Sequence, residues 1–449
     1  MKKKNVHLIS LGCPRNLVDS EILLGLIQNK GYKLTPHIKK ADVIIINTCG
    51  FIEVARDESL ETIKRAIEEK KSRAKIIVTG CLSQFLKNEE YAPLHPYIHF
   101  ILGPGDIEAI DQALDAKEPG TCIGSTKSFL EGPETPRILS TPPHYAYVKI
   151  AEGCRKACSY CIIPHIKGPL KSKPAEQIIQ EINHLLDVGV WEIMLVAQDL
   201  GDWGKDLGQN LSQLLRELLS INRPFRLRLL YLYPDEITDE LISIIQSDPR
   251  ILPYVDIPIQ HVNDTILRAM RRKTSKKQIT KIIEKLRTTI PRMILRTTLM
   301  VGFPGETDAQ FEELCEFLAT YPIDHAGIFA YSPEKESTSA TLPNHIPDEI
   351  KQERCKQLYA LQKEMVINRN QQLVGKKIPV IIDGYHPETN LLMIGRHYGQ
   401  CPDVDSVVLI NDYRPIKAFG EAYLVEITET NEYDLVGKAL QPCTREEWS

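Results

Sequence analysis

The stretch Ala151-Glu152-Gly153-Cys154-Arg155-Lys156-Ala157-Cys158-Ser159-Tyr160-Cys161 directs the reading of the whole chain. Its cysteines follow a C-x₃-C-x₂-C spacing directly after a strand-like run, so one loop offers three soft thiolate ligands. A cubane iron–sulfur cluster held by three thiolates keeps one iron without a protein ligand. S-adenosylmethionine (SAM) can chelate that iron through its amino and carboxylate groups, which points to a redox enzyme that makes radicals. Gly153 lets the backbone turn tightly around an inorganic core. Tyr160 offers a ring for an adenine. The other reading of the spacing is a zinc loop with nearby His165 as fourth ligand.

Outward from this loop, strand-like runs recur at Tyr147–Ala151, Glu192–Ala197, Arg226–Tyr231, Val255–Ile259, Ile294–Met300 and Ala326–Ala330. Helical patterns such as Glu176–Val188 and Phe311–Ala319 lie between them. Six strand–helix repeats predict a partial (β/α)6 barrel over 136–372, with ligands at the carboxyl ends of its strands. Gln198 and Asp199 end the second strand and are candidates for the polar groups of SAM, with loop capping as the alternative. Arg296 lies inside a strand and needs a charge partner, supplied by a SAM carboxylate or by an internal salt bridge. Gly302 and Phe303 open the turn Gly302-Phe303-Pro304-Gly305-Glu306-Thr307, where a nucleoside can approach closely. The same residues make a good strand–helix turn, with Thr307 as N-cap and Gln310 three positions on. Gln260 and His261 are expected on the same rim.

Toward the amino terminus, Val6–Ser10, Val43–Asn47 and Ile76–Thr79 alternate with helical patterns and predict a small parallel α/β domain over 1–135. Cys13, Cys49 and Cys81 each stand just past one of these strands. Carboxyl ends of parallel strands share one edge, so distant cysteines converge there. Gly12, Gly50 and Gly80 make room for something larger than a side chain. A second cluster with an open iron is the functional reading, and three buried structural thiols are the plain one. Cys122, Cys315, Cys355, Cys401 and Cys443 show no such grouping. The breaker-rich stretch near 135–143 reads as a linker.

The segment 373–440 changes character. Ile378–Ile382, Leu391–Ile394, Ser406–Leu409 and Gly420–Thr428 are short β-like runs that predict an antiparallel β-barrel. From Lys376 to Ser449 there are seven basic and twelve acidic residues. The whole chain of 449 residues has a formal charge of −4, which argues against a general nucleic-acid binder. No apolar run approaches the roughly 20 residues of a membrane span. Val6–Leu11 is too short and mixed for a signal peptide, so a cytoplasmic protein is expected. Eleven cysteines in such a chain argue for metal or catalytic use.

In the order of these features the chain resembles the radical-SAM methylthiotransferases over nearly its full length. The resemblance implies an α/β architecture: an amino-terminal methylthiotransferase domain, a radical-SAM barrel and a terminal TRAM β-barrel that binds substrate. It further implies that Cys13, Cys49 and Cys81 ligate an auxiliary [4Fe-4S] cluster, and Cys154, Cys158 and Cys161 the SAM-binding [4Fe-4S] cluster. One branch modifies an adenosine in tRNA; the RimO branch modifies an aspartate of ribosomal protein S-twelve. Ser10–Glu21, with Pro14 after the first cysteine, Asp256–His261 and Gly327–Glu334 look like the RimO branch. The run Gln198-Asp199-Leu200-Gly201 departs from it, since threonines more often follow that aspartate. An acidic terminal barrel agrees with a basic protein partner better than with tRNA.

The implied chemistry uses SAM twice: once to donate a methyl group to a sulfide on the auxiliary cluster, and once to form the 5′-deoxyadenosyl radical. That radical removes hydrogen from the aspartate β-carbon, which then takes up the methylthio group. A flavodoxin or ferredoxin electron donor is implied by the resemblance alone. The alternatives are the same chemistry on a tRNA adenosine, and a non-enzymatic ribosome-binding factor that uses iron–sulfur clusters as folding staples.

Overall fold

The computed structural model describes residues 4–86, 88–125 and 127–448; the basic start Met1–Lys3 lies outside the described residues. The amino-terminal unit is a six-stranded parallel sheet. Its strands are β1 (Asn5–Ser10), β2 (Lys33–Leu34), β3 (Val43–Thr48), β4 (Lys75–Gly80), β5 (Phe100–Leu102) and β6 (Gly120–Cys122), in the order β2-β1-β3-β4-β5-β6. Strand β3 is buried along its whole length, as expected of a Val/Ile-rich run covered on both faces by helices. Three of the six strands are legible as apolar runs. The others are two or three residues long, too short to carry a period.

The central unit is a six-stranded parallel sheet, curved as a partial barrel. In chain order its strands are β7 (Tyr145–Lys149), β10 (Glu192–Val196), β11 (Arg226–Leu229), β12 (Ile251–Asp256), β13 (Ile294–Val301) and β14 (His325–Ala330), each hydrogen-bonded to the next. A two-residue ribbon, β8 (Ala151–Glu152) with β9 (Lys171–Ser172), lies between β7 and β10 and ties the two ends of the cysteine loop together. Helices Leu211–Leu219, Lys276–Thr289 and Asp308–Thr320 start with capping boxes from Asn210/Gln213, Ser275/Gln278 and Thr307/Gln310. The expected strand Val255–Ile259 needs correction: β12 ends at Asp256. Pro258 has no N–H for the ladder, and only isolated bonds continue, from Ile257 N to Arg296 O at 2.8 Å and from Gln260 N to Thr298 O at 2.8 Å.

The carboxyl-terminal unit is a closed five-stranded barrel of β15 (Lys377–His386), β16 (Thr389–Arg396), β17 (Val408–Asp412), β18 (Ala422–Asn431) and β19 (Asp434–Pro442). It is not wholly antiparallel as expected, because β17 pairs with β19 in parallel. Its core is separate from the others and is built from Val380, Ile382, Met393, Val408, Ile410 and Val425.

Charged side chains buried between the units lock them together. Lys149 bonds Asp19 of the amino-terminal helix Pro14–Asn29 and Glu152 at 3.1 Å. Arg137 pairs with Glu21 and Glu181 at 2.7 Å each, and Lys173 with Glu131 at 2.5 Å. The stretch read as a linker therefore packs as interface. Its composition is polar because its partners are buried charges. At the other end Arg396 of the terminal barrel joins Glu192 at 2.9 Å and Asp383 at 2.8 Å.

Candidate functional site

Strands β1, β3 and β4 are neighbours in one parallel sheet, with Ser10 opposite Asn47 and Asn47 opposite Thr79. Cys13, Cys49 and Cys81 therefore leave from adjacent strand ends. The local sequence holds those ends rigidly. Asn47 Nδ2 donates to Asn16 O and Ser20 Oγ at 2.9 Å each. Ser59 Oγ accepts from Cys49 N at 3.0 Å and donates to Cys49 O at 2.8 Å. Gly12 has φ 88°, and a Cβ on it would stand 2.9 Å from Cys49 Cβ and 3.1 Å from Cys49 Sγ. Only glycine leaves that space open.

The electrostatics around this triad are uneven. Burial pushes the Cys13 thiol up, but Arg15, an N–H from Asn16 and Lys167 outweigh it and leave its pKa below the ordinary value. Burial dominates at Cys81, whose pKa is pushed up to about 12 despite Lys167, with Cys49 and Cys13 adding to the rise. Cys81 thus feels the fields of both other cysteines, and Cys49 that of Cys13.

The second triad stands on the facing rim. Gly153, with φ 73°, turns the chain out of β8. Cys154 N donates to Gly168 O at 3.1 Å, and Ser159 N to Met270 O at 3.1 Å, so the loop is anchored at both ends. Main-chain N–H groups of Lys156 and Ile163 lie 3.4 and 3.5 Å from the sulfurs of Cys154 and Cys161. Tyr233 Oη is 3.6 Å from Cys158 Sγ. Donors of this kind stabilise thiolates bound to iron and tune cluster potentials. Burial pushes the Cys154 and Cys161 thiols up to about 11 and about 12, so metal binding must displace their protons.

Neither triad is drawn in to single-ion spacing. Among the described residues, the group whose ligand atoms all lie within 4.8 Å of one another is Asp199, Asp202 and Glu236. A tetrahedral zinc site pulls its four ligands onto one ion, and Cys154, Cys158, Cys161 and His165 do not converge in that way. Three thiolates with N–H donors directed at two of their sulfurs, and a second three with the open space at Gly12 beside Cys49, are donor sets whose chemistry suits an iron–sulfur core.

The predicted SAM contacts divide into two groups. Tyr160 and Phe303 share one apolar cluster with Ile266, Met270 and Tyr331, and Phe303 meets Tyr331 edge-on with centroids 5.3 Å apart. Tyr160 Oη is buried without a hydrogen-bond partner. Gly302 N donates to Glu306 Oε2 at 2.9 Å, which pins the turn beside this cluster. Gln198 Nε2 donates to Glu152 Oε1 at 2.7 Å, and its own Oε1 is buried and unpartnered. Asp199 caps the turn Leu200–Asp202 by accepting from Gly201 N at 3.0 Å, and lies 3.3 Å from Lys156 Nζ. Burial and neighbouring Asp202 raise its pKa to about 7. Arg296 is paired internally, to Asp256 at 3.0 Å and to Asp405 of the terminal barrel at 3.3 Å. Its charge is met from within the protein. His261 is fully buried and accepts from Asn263 N at 2.9 Å.

Several residues around the triads escaped sequence reading. Arg272 is buried with its guanidinium 4.0 Å from the Tyr233 ring centre and its field on Cys158, yet Arg271-Arg272-Lys273 looks like a solvated charge run. Lys167 is buried among Asp19 at 3.3 Å and Glu152 at 3.6 Å. Arg15 and Lys156, each two residues from a cysteine, carried the one available signal, which was proximity to a ligand.

Residues 5–103 match an uncharacterized protein family, UPF0004; residues 148–318 match the radical SAM superfamily, and residues 374–440 the TRAM domain. A ribosomal protein uS12 methylthiotransferase RimO of Protochlamydia amoebophila is 54% identical over 97% of this chain and 92% of its own length. A protein of the same name from Chlamydia abortus is 51% identical over 98% of this chain and 96% of its own. Among solved structures, the radical S-adenosylmethionine methyltransferase TsrM from Kitasatospora setae superposes with a TM-score of 0.52 at 12% identity, covering 75% of this chain and 77% of that one. That last likeness speaks to the fold alone.

Proposed function

The chain belongs to the radical-SAM methylthiotransferases, with relatives named ribosomal protein uS12 methylthiotransferase RimO, and from this we propose that it places a methylthio group on the β-carbon of an aspartate of uS12. The observation that carries the reading is the identity above one half, sustained across nearly all of both chains. Iron–sulfur and SAM chemistry come with the family. Cys154, Cys158 and Cys161 are the residues to hold a SAM-binding [4Fe-4S] cluster, and Cys13, Cys49 and Cys81 a second one. When bound, these groups and SAM supply a radical able to break an unactivated C–H bond and the sulfur and methyl that replace the hydrogen, work that no acid or base side chain performs.

The protein's own task is to seat and to shield. Tyr160, backed by the buried rings of Phe303 and Tyr331, offers an aromatic face for an adenine beside Cys158 and Cys161. Gln198 and Asp199 present a free carbonyl oxygen and a carboxylate to a polar ligand on the same rim. The buried charges of Asp19, Lys149, Glu152 and Lys167 fix the amino-terminal sheet edge against this rim, which sets the gap that the target carbon must fill. Of the terminal barrel's charged residues, Asp383, Asp403, Asp405 and Arg396 are engaged at the interface, and the charge left outside them is still acidic on balance. An acidic exterior suits a basic ribosomal protein. The site of action is then the cytoplasm. A flavodoxin or ferredoxin as electron donor rests on the family resemblance.

The test is anaerobic reconstitution with iron and sulfide, then reaction with SAM, a low-potential reductant and purified uS12. Mass spectrometry should find one methylthio group on an aspartate of uS12, with 5′-deoxyadenosine released. Methylthiolation of a tRNA adenosine with unmodified uS12 would overturn the substrate assignment.

A further inference from the structure

Arg15 opens the helix Pro14–Asn29 two residues after Cys13. Its Nη2 lies 3.7 Å from Cys13 Sγ, and its guanidinium carbon stands 5.8 Å from the centre of the Tyr231 ring. It is half-buried, and among the described residues it forms no ion pair with a carboxylate. Other secluded arginines do: Arg137, Arg228, Arg296, Arg354 and Arg396 are each paired within 3.3 Å. Arg272 lacks a carboxylate too, but its Nη2 is held by Pro258 O at 2.5 Å. Glu152, whose field reaches Arg15, is already engaged by Lys149 at 3.1 Å and Gln198 at 2.7 Å. A guanidinium carries five N–H donors in a planar fork matched to a carboxylate, and most of this fork is unspent.

Tyr231 holds Arg15 in place from the barrel side. It lies two residues past β11 with φ 61°, a costly conformation for a bulky side chain and one that persists only where the surroundings enforce it. Its N–H donates to Asp256 Oδ2 at 3.2 Å and its carbonyl accepts from Leu200 N at 2.9 Å. That pinned backbone directs the ring across to the amino-terminal unit. Arg15 is thus two residues from one cysteine triad and in the field of Glu152, two residues before the other.

We propose that Arg15 receives the side-chain carboxylate of the substrate aspartate and sets the preference for aspartate over neutral side chains. The inference rests on the proposed uS12 reading and deepens it. In aspartate the β-carbon is bonded directly to the carboxylate carbon, so a fork clasped on the carboxylate leaves the reacting carbon one bond away, beside Cys13. A glutamate held by the same fork would present its γ-carbon there instead.

The test measures equilibrium binding of two labelled uS12 peptides, one with the target aspartate and one with asparagine in its place, to reconstituted enzyme carrying SAM. Wild type should favour the aspartate peptide by roughly 10- to 100-fold, the range of a charge-assisted hydrogen-bonded pair. Arg15→Gln should bring that ratio close to one with asparagine-peptide affinity unmoved, and Arg15→Lys should keep part of it. An Arg15→Gln protein that retains the ratio, or weakens both peptides equally, overturns the proposal. So does a variant that shifts a cluster midpoint potential while the ratio stands. Should Arg15→Gln fail to fold, an undiminished ratio in Arg15→Lys overturns it. Wild type that leaves uS12 unmodified would instead sink the substrate reading itself.

Discussion

Replacing Arg396 with Met should loosen the terminal barrel from the catalytic unit without unfolding either. Arg396 is 1% exposed and bridges Glu192, which is fully buried, to Asp383. Methionine fills a similar volume but leaves both carboxylates short of a cation. Removing one partner of a buried ion pair costs about 3–5 kcal/mol. The lower end applies here, because Glu192 keeps Arg228 at 2.7 Å and Asp383 keeps His144 at 2.7 Å. A cost of about 3 kcal/mol raises the population of undocked molecules roughly 150-fold. Native-state hydrogen exchange reads this directly at the docking loop, where Cys401 N donates to Asp405 Oδ2 at 2.8 Å and Gln400 N to His397 O at 3.1 Å. Those amides should exchange about 150-fold faster, while β18–β19 amides around the separate core of Val380, Val408 and Val425 stay protected. A second change, Glu192→Gln, should recover part of the loss by neutralising the stranded carboxylate. An acceleration below about fivefold at the loop, or equal acceleration throughout the barrel, refutes the reasoning.

The same interface should weaken in acid through His397. Burial, then Arg369, hold its pKa down to about 3, against about 6.5 unfolded. The folded state therefore disfavours its proton, so stability is complete above pH ~6.5 and declines as pH falls toward 3, by on the order of 2 kcal/mol near pH 5. His397→Gln should flatten that part of a pH–stability curve, and an unchanged curve would exclude His397 as its cause. Gly12→Ala forces a Cβ to within 2.9 Å of Cys49 at φ 88°. Iron per reconstituted chain should fall from about eight toward about four, and a full complement would contradict a metal core at that edge. Cys158→Ala should abolish 5′-deoxyadenosine formation, whereas Cys49→Ala should keep it and lose the methylthio product. Product from either variant would remove that cysteine from its proposed role.

Much of the architecture is legible because it is written locally. Apolar runs such as Val43-Ile44-Ile45-Ile46 can only be covered strands, and Thr307 with Gln310 announces the helix that they cap. The placement of Cys13, Cys49 and Cys81 just past three strands is readable for the same reason, once a parallel sheet is assumed. Strands of two or three residues, and the parallel pairing of β17 with β19, are not readable, since they depend on partners far along the chain.

The three-part organisation, the strand-end positions of Cys13, Cys49 and Cys81 and the single-loop spacing of Cys154, Cys158 and Cys161 are thus properties of short segments, and the amino-acid order suffices for them. Partnerships between charges are different. That Arg296 answers Asp405 from another unit, that a breaker-rich stretch is interface, and that Arg15 faces Tyr231 with its fork unspent all follow from packing. A buried charge must find its counter-charge wherever the fold brings one within reach, and Coulomb energy depends on separation in space and on burial, not on separation along the chain.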